Sequence, residues 1–330
     1  MWFEDLFGFE EGSADQVRKN LTVSGDRMTS RVNGREIGCG TLEVASLGEL
    51  RTRTADLPAG STGLTLRQIV GDVGALHRDE GNAGALFQAA SQFNLLEMVS
   101  PSVIPEAGVT GYAHDRTQGP VCAIACGAGT IYRNYFALVN GQVGQTFDNQ
   151  IDCLADIGAH LFPAGDVPWT MTNGYAMFDS SGLKKLNIRL ADLSAEEVDA
   201  VRAELRIGLH HNVEVTTAPT GHSVTQAYCS ALPVAYNNCS PLQFEAFARL
   251  VLEASYETTL RAAVLNSKAT GNQTVYLTLL GGGVFGNDET WITEAIERAS
   301  KLVSEFDLDV AVVSYGSPSR AVAKLVEHFD

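Results

Sequence analysis

Apolar positions are most regular in the last third of the chain. Residues 275–280 (Val-Tyr-Leu-Thr-Leu-Leu) form an apolar, partly β-branched run closed by glycines, which predicts a buried strand. Ile292, Ala295, Ile296, Ala299, Leu302 and Val303 then recur at helical spacing. Residues 309–315 predict a further strand, and a last helix follows from about Ser319. Upstream, Ser194 to Glu197 reads as a capping box ahead of Val198, Val201 and Leu205. Ser240 to Gln243 reads as a second, with proline at the first helical position, leading Phe244, Phe247, Leu250, Val251 and Ala254. Earlier, the runs 86–90 and 122–125 predict buried strands. Residues 1–55 predict a short polar lead, then strands joined by turns at 23–26 and at the Asn33-Gly34 pair. The segment 100–120 carries Pro101, Pro105, Gly108, Gly111, Gly119 and Pro120 and predicts a loop, long enough to be functional. Strand, glycine turn, helix, strand and helix in that order predict an α/β sheet with helices packed on it.

Composition narrows the classes. Of 330 residues, 45% are hydrophobic and 19% charged, as in a folded globular chain. The formal net charge of −16 argues against nucleic acid as a partner. No apolar run is long enough to predict a membrane span, and Met1-Trp2-Phe3-Glu4-Asp5 lacks the basic lead of a secretory signal, so a cytoplasmic setting is expected. The six cysteines are scattered without a CxxC pair, and His210-His211 lacks a metal-binding context; no metal and no cofactor are expected.

The glycine turn carries the clearest chemistry. Gly281, Gly282, Gly283 and Gly286 let backbone N–H groups close on a ligand, and a helix beginning just beyond adds donors and the positive end of its dipole. That combination suits a phosphate or diphosphate. Gly281, Gly283 and Gly286 also satisfy the dinucleotide spacing of nicotinamide-dependent oxidoreductases. Placement ranks that alternative low: too little chain follows, and Asp307 and Asp309 fall before or at the start of the next strand rather than at its end.

Three segments together resemble the macrodomain family, which binds ADP-ribose. Residues 70–73 (Val-Gly-Asp-Val) resemble its Gly-Asp-Ile/Val step, residues 87–94 its Val-Asn-Ala-Ala-Asn strand end, and residues 281–286 its diphosphate loop. The resemblance spans 64–330 with insertions between about 130 and 240. Gln88 stands where the first Asn is usual, and Leu95 to Met98 with a Pro-rich stretch replace the glycine-rich first loop. The runs 88–98, 108–110 and 115–120 look most like a divergent branch, that of effector macrodomains which strip ADP-ribose from arginine on ubiquitin. The resemblance implies a macrodomain-like mixed sheet sandwiched by helices over 56–330, with 1–55 as a β-rich N-terminal extension. It implies ADP-ribose and an ADP-ribosylated protein as partners, and hydrolysis at C1″ as the activity. A non-catalytic ADP-ribose reader is the alternative. Asp72 and Val73 would take the adenine. Gly281, Gly282, Gly283, Val284, Phe285, Gly286 and Asn287 would hold the diphosphate. Gln92, Asn94 and Tyr315 would complete the ligand site.

Breaking a C1″ linkage passes through an oxocarbenium-like state that a carboxylate near the ribose stabilises. Asp115, in the long loop, is the first candidate and Glu106 the second, against the plainer reading of Asp115 as a partner of Arg116 or a turn cap. Asp148 and Asp152 would share a face if 145–152 were helical. Tyr132 to Tyr135 offer a cation beside aromatics, and His222 with Cys229 the elements of a nucleophile pair. Each of these has an ordinary structural reading.

Overall fold

The computed structural model describes residues 1–329. Its centre is a seven-stranded mixed sheet: β1 (Thr41–Ser46), β2 (Leu64–Val70), β3 (Leu86–Ala90), β4 (Arg206–Glu214), β5 (Ser223–Cys229), β6 (Thr274–Thr278) and β7 (Leu308–Ser314). Their spatial order is β1-β4-β5-β3-β6-β7-β2. The last five in that order run parallel, whereas β4 is antiparallel to both its neighbours. The expected mixed sheet sandwiched by helices is present.

Side-chain alternation assigns the two helical layers. On β3, Phe87 stacks on His77 of the helix Val73–Arg78, while its neighbour Gln88 donates to Thr259 of the long helix Glu245–Thr270. On β5, Tyr228 lies under the Arg133 guanidinium of the helix Gly127–Tyr135, and Cys229 faces Thr259. Helices 73–78 and 127–135, with Gln118–Ala125 between them, therefore cover one face. Helix 245–270 crosses the other, flanked by Glu289–Leu302 and, beyond it, Arg320–Phe329.

Several local expectations change. Residues 122–125 belong to the helix Gln118–Ala125, not to a strand. The run is built of small side chains and carries Pro120 in its first turn, where a missing N–H costs nothing. The Ser194 capping box is formed, but Ser240 makes no side-chain cap; Pro241–Gln243 is a 3-10 turn ahead of the helix. Residues 145–152 are not helical: Asp148 accepts from the Thr146 hydroxyl and Asp152 from the amide of Leu154, so they share no helix face.

The first 40 residues hold two helices, Trp2–Phe7 and Ala14–Asn20, ahead of a three-stranded meander. Residues 41–54 supply β1 and a helix that packs beside 245–270. The helical lead was not expected. Its apolar side chains Phe3, Leu6, Phe7 and Val17 form a second core with Leu96, Met98, Val109, Tyr112, Ile131 and Tyr135. The N-terminal segment is thus packed against the loop that follows β3.

Candidate functional site

A cavity of about 1040 Å³ opens at the carboxyl ends of the parallel strands. Ala90 ends β3, Thr278 ends β6, Ser314 ends β7, and Gly71 and Ala231 follow β2 and β5; all line it. Open α/β sheets bind ligands at this edge. The strands part there: β3 and β6 pair only through Leu86–Val275 and Phe87–Tyr276. The Gln88 side chain then takes over, its Oε1 accepting the Thr278 N–H at 3.2 Å. A longer amide at this position bridges the gap between the diverging strands.

The first wall is the turn from Leu279 to Asn287. It is braced within itself: Gly282 donates to Leu279 O, Gly286 to Gly283 O and Asn287 to Gly281 O. The Asn287 amide also donates to Leu232 O at 2.9 Å, holding the turn from behind. Gly281 is left-handed at φ +72°, and a Cβ there would stand 2.5 Å from that of Ala231. Gly281, Gly283, Val284 and Phe285 line the cavity, and their N–H groups have no protein acceptor among the described residues. The following helix contributes less than expected. Asp288 caps it by accepting from Thr290 N, and neither Asp288 nor Glu289 lines the cavity. The free donors are those of the turn itself.

The second wall is the excursion from Ser91 to Pro120. Gln118 pins its end to the sheet, accepting from Ala90 N at 2.8 Å and donating to Gln88 O at 2.7 Å. Asp115 accepts the Thr117 N–H at 2.8 Å through Oδ1 and forms no ion pair with Arg116; its Oδ2 has no partner among the described residues. Glu97 lines the cavity yet is 2% exposed. Burial pushes its carboxyl up to about 7, against the pull of the Arg133 guanidinium 3.4 Å away. Phe285 completes an aromatic trio with Tyr175 and Tyr236, centroids 5.4–5.6 Å apart. Tyr175 donates to Met98 O, tying this trio to the second wall.

The remaining wall contains Asp72, Val73 and Tyr315. Asp72 caps the helix 73–78 through Oδ1, leaving Oδ2 without a partner among the described residues. Tyr315, just after β7, is 87% exposed.

The structure therefore gathers Asp72, Val73, Gln92, Asp115, Gly281, Gly283, Val284, Phe285 and Tyr315 around one cavity. Gly282, Gly286 and Asn287 lie in the same turn without lining it. Asn94 is fully buried, donating to Gln150 and accepting from Leu96 N, and Glu106 accepts from Phe147 N; neither lines the cavity. Arg133 is fully buried. Cys229 is a buried thiol pushed up to about 12, and His222 bonds to Thr220 and His77 O, so they form no nucleophile pair. Glu97, His114, Arg116, Gln118, Tyr175 and Tyr236 line or brace the site although the sequence assigns none of them a role, Glu97, Arg116 and Gln118 lying within the runs that carry the resemblance. Asp307 accepts from residues 61–63 and Asp309 pairs with Arg67, at the opposite edge of the sheet from the cavity.

No protein-family model and no curated protein matches this chain. Among solved structures, the poly(ADP-ribose) glycohydrolase of Thermomonospora curvata aligns over 96% of this chain and 96% of its own, at 13% identity and TM-score 0.47. A mutant of the Deinococcus radiodurans poly(ADP-ribose) glycohydrolase in complex with ADP-ribose covers 88% of this chain and 95% of its own, at 12% identity and TM-score 0.43. An Oceanobacillus iheyensis macrodomain covers 82% and 93%, at 12% and 0.34. Likenesses at this level assign no role to individual residues, and what the cavity can do follows from its own geometry.

Proposed function

We propose that the cavity binds ADP-ribose and that the protein hydrolyses the C1″ linkage of an ADP-ribosylated protein. The observation that carries this reading is the set of acceptor-free amides at Gly281, Gly283, Val284 and Phe285, residues that line a cavity large enough for a dinucleotide-sized ligand. In a chain of net charge −16, an anion must be held by short-range local donors such as these N–H dipoles, against the overall field.

The resemblance of 70–73 to the family's adenine-binding step supports a direction for the ligand. The turn follows β6, between β3 on one side and β7 with β2 on the other. A diphosphate on the turn sends the adenosine toward Asp72 and Tyr315, where the free Asp72 Oδ2 accepts the adenine amino group. The distal ribose then lies toward Gln92, Glu97 and Asp115. There the Asp115 carboxylate orients a water for attack on C1″ and stabilises the developing positive charge. Water oxygen bonds to C1″, the bond from C1″ to the leaving atom breaks, and the water's proton passes through the carboxylate to the leaving group. For the linkage we favour arginine, and for the carrier ubiquitin, on the resemblance of 88–98, 108–110 and 115–120 to effector macrodomains; a carboxylate beside C1″ also suits a guanidinium leaving group.

Calorimetric titration with ADP-ribose, followed by turnover of arginine- and glutamate-linked substrates, tests this. Micromolar binding with release of ADP-ribose is expected. Binding without turnover of any linkage would leave a reader of ADP-ribose. Tighter binding of NADH than of ADP-ribose would return the site to nicotinamide chemistry.

A further inference from the structure

The N-terminal segment contributes one group to the second wall that its packing does not require. Glu11 lies between the helices Trp2–Phe7 and Ala14–Asn20, about a hundred residues before the loop it touches. Its carboxylate accepts the Val109 N–H at 2.8 Å (Oε1) and 3.0 Å (Oε2), and the Thr110 N–H at 2.7 Å. The Thr110 hydroxyl also donates to it, and so does the Tyr135 hydroxyl at 2.7 Å. Gly108 makes room: its φ is +80°, and a Cβ would stand 2.6 Å from the Glu11 carboxylate carbon. The two amides it takes open the 3-10 turn Thr110–His114, which Asp115 closes by donating to Tyr112 O. No side chain of the turn caps its own start. A carboxylate accepting two backbone N–H groups and two hydroxyls is a strong clamp, because each bond is charge-assisted.

We propose that Glu11 is a positioning residue for the active-site loop: it caps the Thr110–His114 turn from outside and thereby fixes where Asp115 stands in the cavity. The N-terminal segment is then the outer buttress of the second wall, its Phe3, Phe7 and Val17 packed behind Val109 and Tyr112. The clamp stands on geometry alone, whereas its effect on turnover rests on the proposed hydrolysis.

The test compares the full-length protein with E11Q, E11A and D15A. Asp15 is an exposed acid on the same segment, paired with Arg18, and serves as the control. Amide hydrogen exchange is read first. E11A should accelerate exchange at 109–117 by ~30-fold, the loss of about 2 kcal/mol of charge-assisted bonding, with amides of β3 and β6 unchanged. E11Q, which keeps one acceptor oxygen, should fall between E11A and wild type, and D15A should match wild type. Turnover is read second: E11A should lower kcat roughly tenfold or more, since small misplacements of a reacting group are costly, while the ADP-ribose Kd stays within about threefold. Unchanged exchange at 109–117 in E11A overturns the clamp. Accelerated exchange with unchanged kcat overturns its role in placing Asp115. A wild-type protein that neither binds nor releases ADP-ribose defeats the functional reading, and the exchange measurement still decides the clamp.

Discussion

The two long walls of the cavity are built on opposite plans. The glycine turn is braced first by bonds among its own nine residues and by the strand and helix on either side of it, with support from behind where Asn287 donates to Leu232 O, Leu280 to the Tyr256 hydroxyl and Ala235 to Phe285 O. The wall from Ser91 to Pro120 is braced from far away. Pro101 O accepts from Asn173, Met98 O from Tyr175, Pro105 O from Asn134, and Asn94 O from Gln145, while Val109 and Thr110 donate to Glu11. A self-braced turn offers a fixed row of donors, suited to a diphosphate common to many ligands. A wall assembled from remote segments can be re-aimed by changes elsewhere in the chain, suited to the part of a ligand that varies.

The largest effect expected from breaking this contrast falls on the second wall. Asp115→Ala should lower kcat by about 10²–10⁴, the usual worth of a positioned carboxylate, while calorimetry shows the ADP-ribose Kd within about threefold. A kcat within a factor of five of wild type would remove Asp115 from the chemistry. On the first wall, two neighbouring glycines should behave differently. Gly281→Val places a β-branched side chain at φ +72° against Ala231 and should cost about 3 kcal/mol or more in urea unfolding, taking ligand binding with it. Gly283→Ala meets nothing within 4 Å and should fold like wild type. Its methyl group would stand beside the free amides and weaken ADP-ribose by roughly tenfold, about 1.4 kcal/mol. Equal affinity in Gly283→Ala and wild type would mean the ligand does not approach the turn.

The same contrast explains what the chain discloses when read alone. The turn, β6, β7 and the helix 289–302 are determined by neighbours in sequence, so periodicity and glycine content reveal them. Gly71-Asp72 and residues 86–90 are read for the same reason. The second wall is not legible in this way. Nothing near Glu11 or Tyr175 distinguishes them, because their partners lie between about 75 and 125 residues away. Residues 122–125 are helical where a strand is predicted, since a short run of small apolar residues has no decisive period. Gln88 departs from the family's motif, and its length is explained only by the gap between β3 and β6 that it spans.

Glu97 sharpens the comparison through pH, because the second wall holds a buried acid and the first holds none. Its folded-state value of about 7 lies above the ordinary 4.5. The folded protein therefore binds more protons than the unfolded chain between those values. Its contribution to stability is greatest below pH 4.5 and is lost as pH rises toward 7, by at most about 3 kcal/mol. His77 acts in the opposite sense: burial lowers it from 6.5 to about 4, so its contribution is lost as pH falls through that window. His77 is common to wild type and E97Q, so it cancels when the two are subtracted. The stability of wild type minus that of E97Q, from urea unfolding, should decline steadily from pH 4.5 to 7. A flat difference would mean that Arg133 holds Glu97 ionised throughout.

The smallest expected effect belongs to the third wall, where Tyr315 projects from the end of β7 without an aromatic partner among the described residues. A tyrosine 87% exposed forgoes burial of its ring in the free protein. A planar base laid against it recovers part of that area, worth about 1 kcal/mol. Tyr315→Ala should therefore weaken ADP-ribose about fivefold and leave kcat on saturating substrate unchanged, since in the proposed orientation the ring is far along the ligand from C1″. The ligand itself provides the control. Ribose with a 5-diphosphate keeps the contacts to Gly281–Phe285 and lacks the base, so its affinity should be the same for wild type and Tyr315→Ala. Equal losses for both ligands would show that Tyr315 shapes the turn rather than the base pocket, and would move the adenine to another part of the rim.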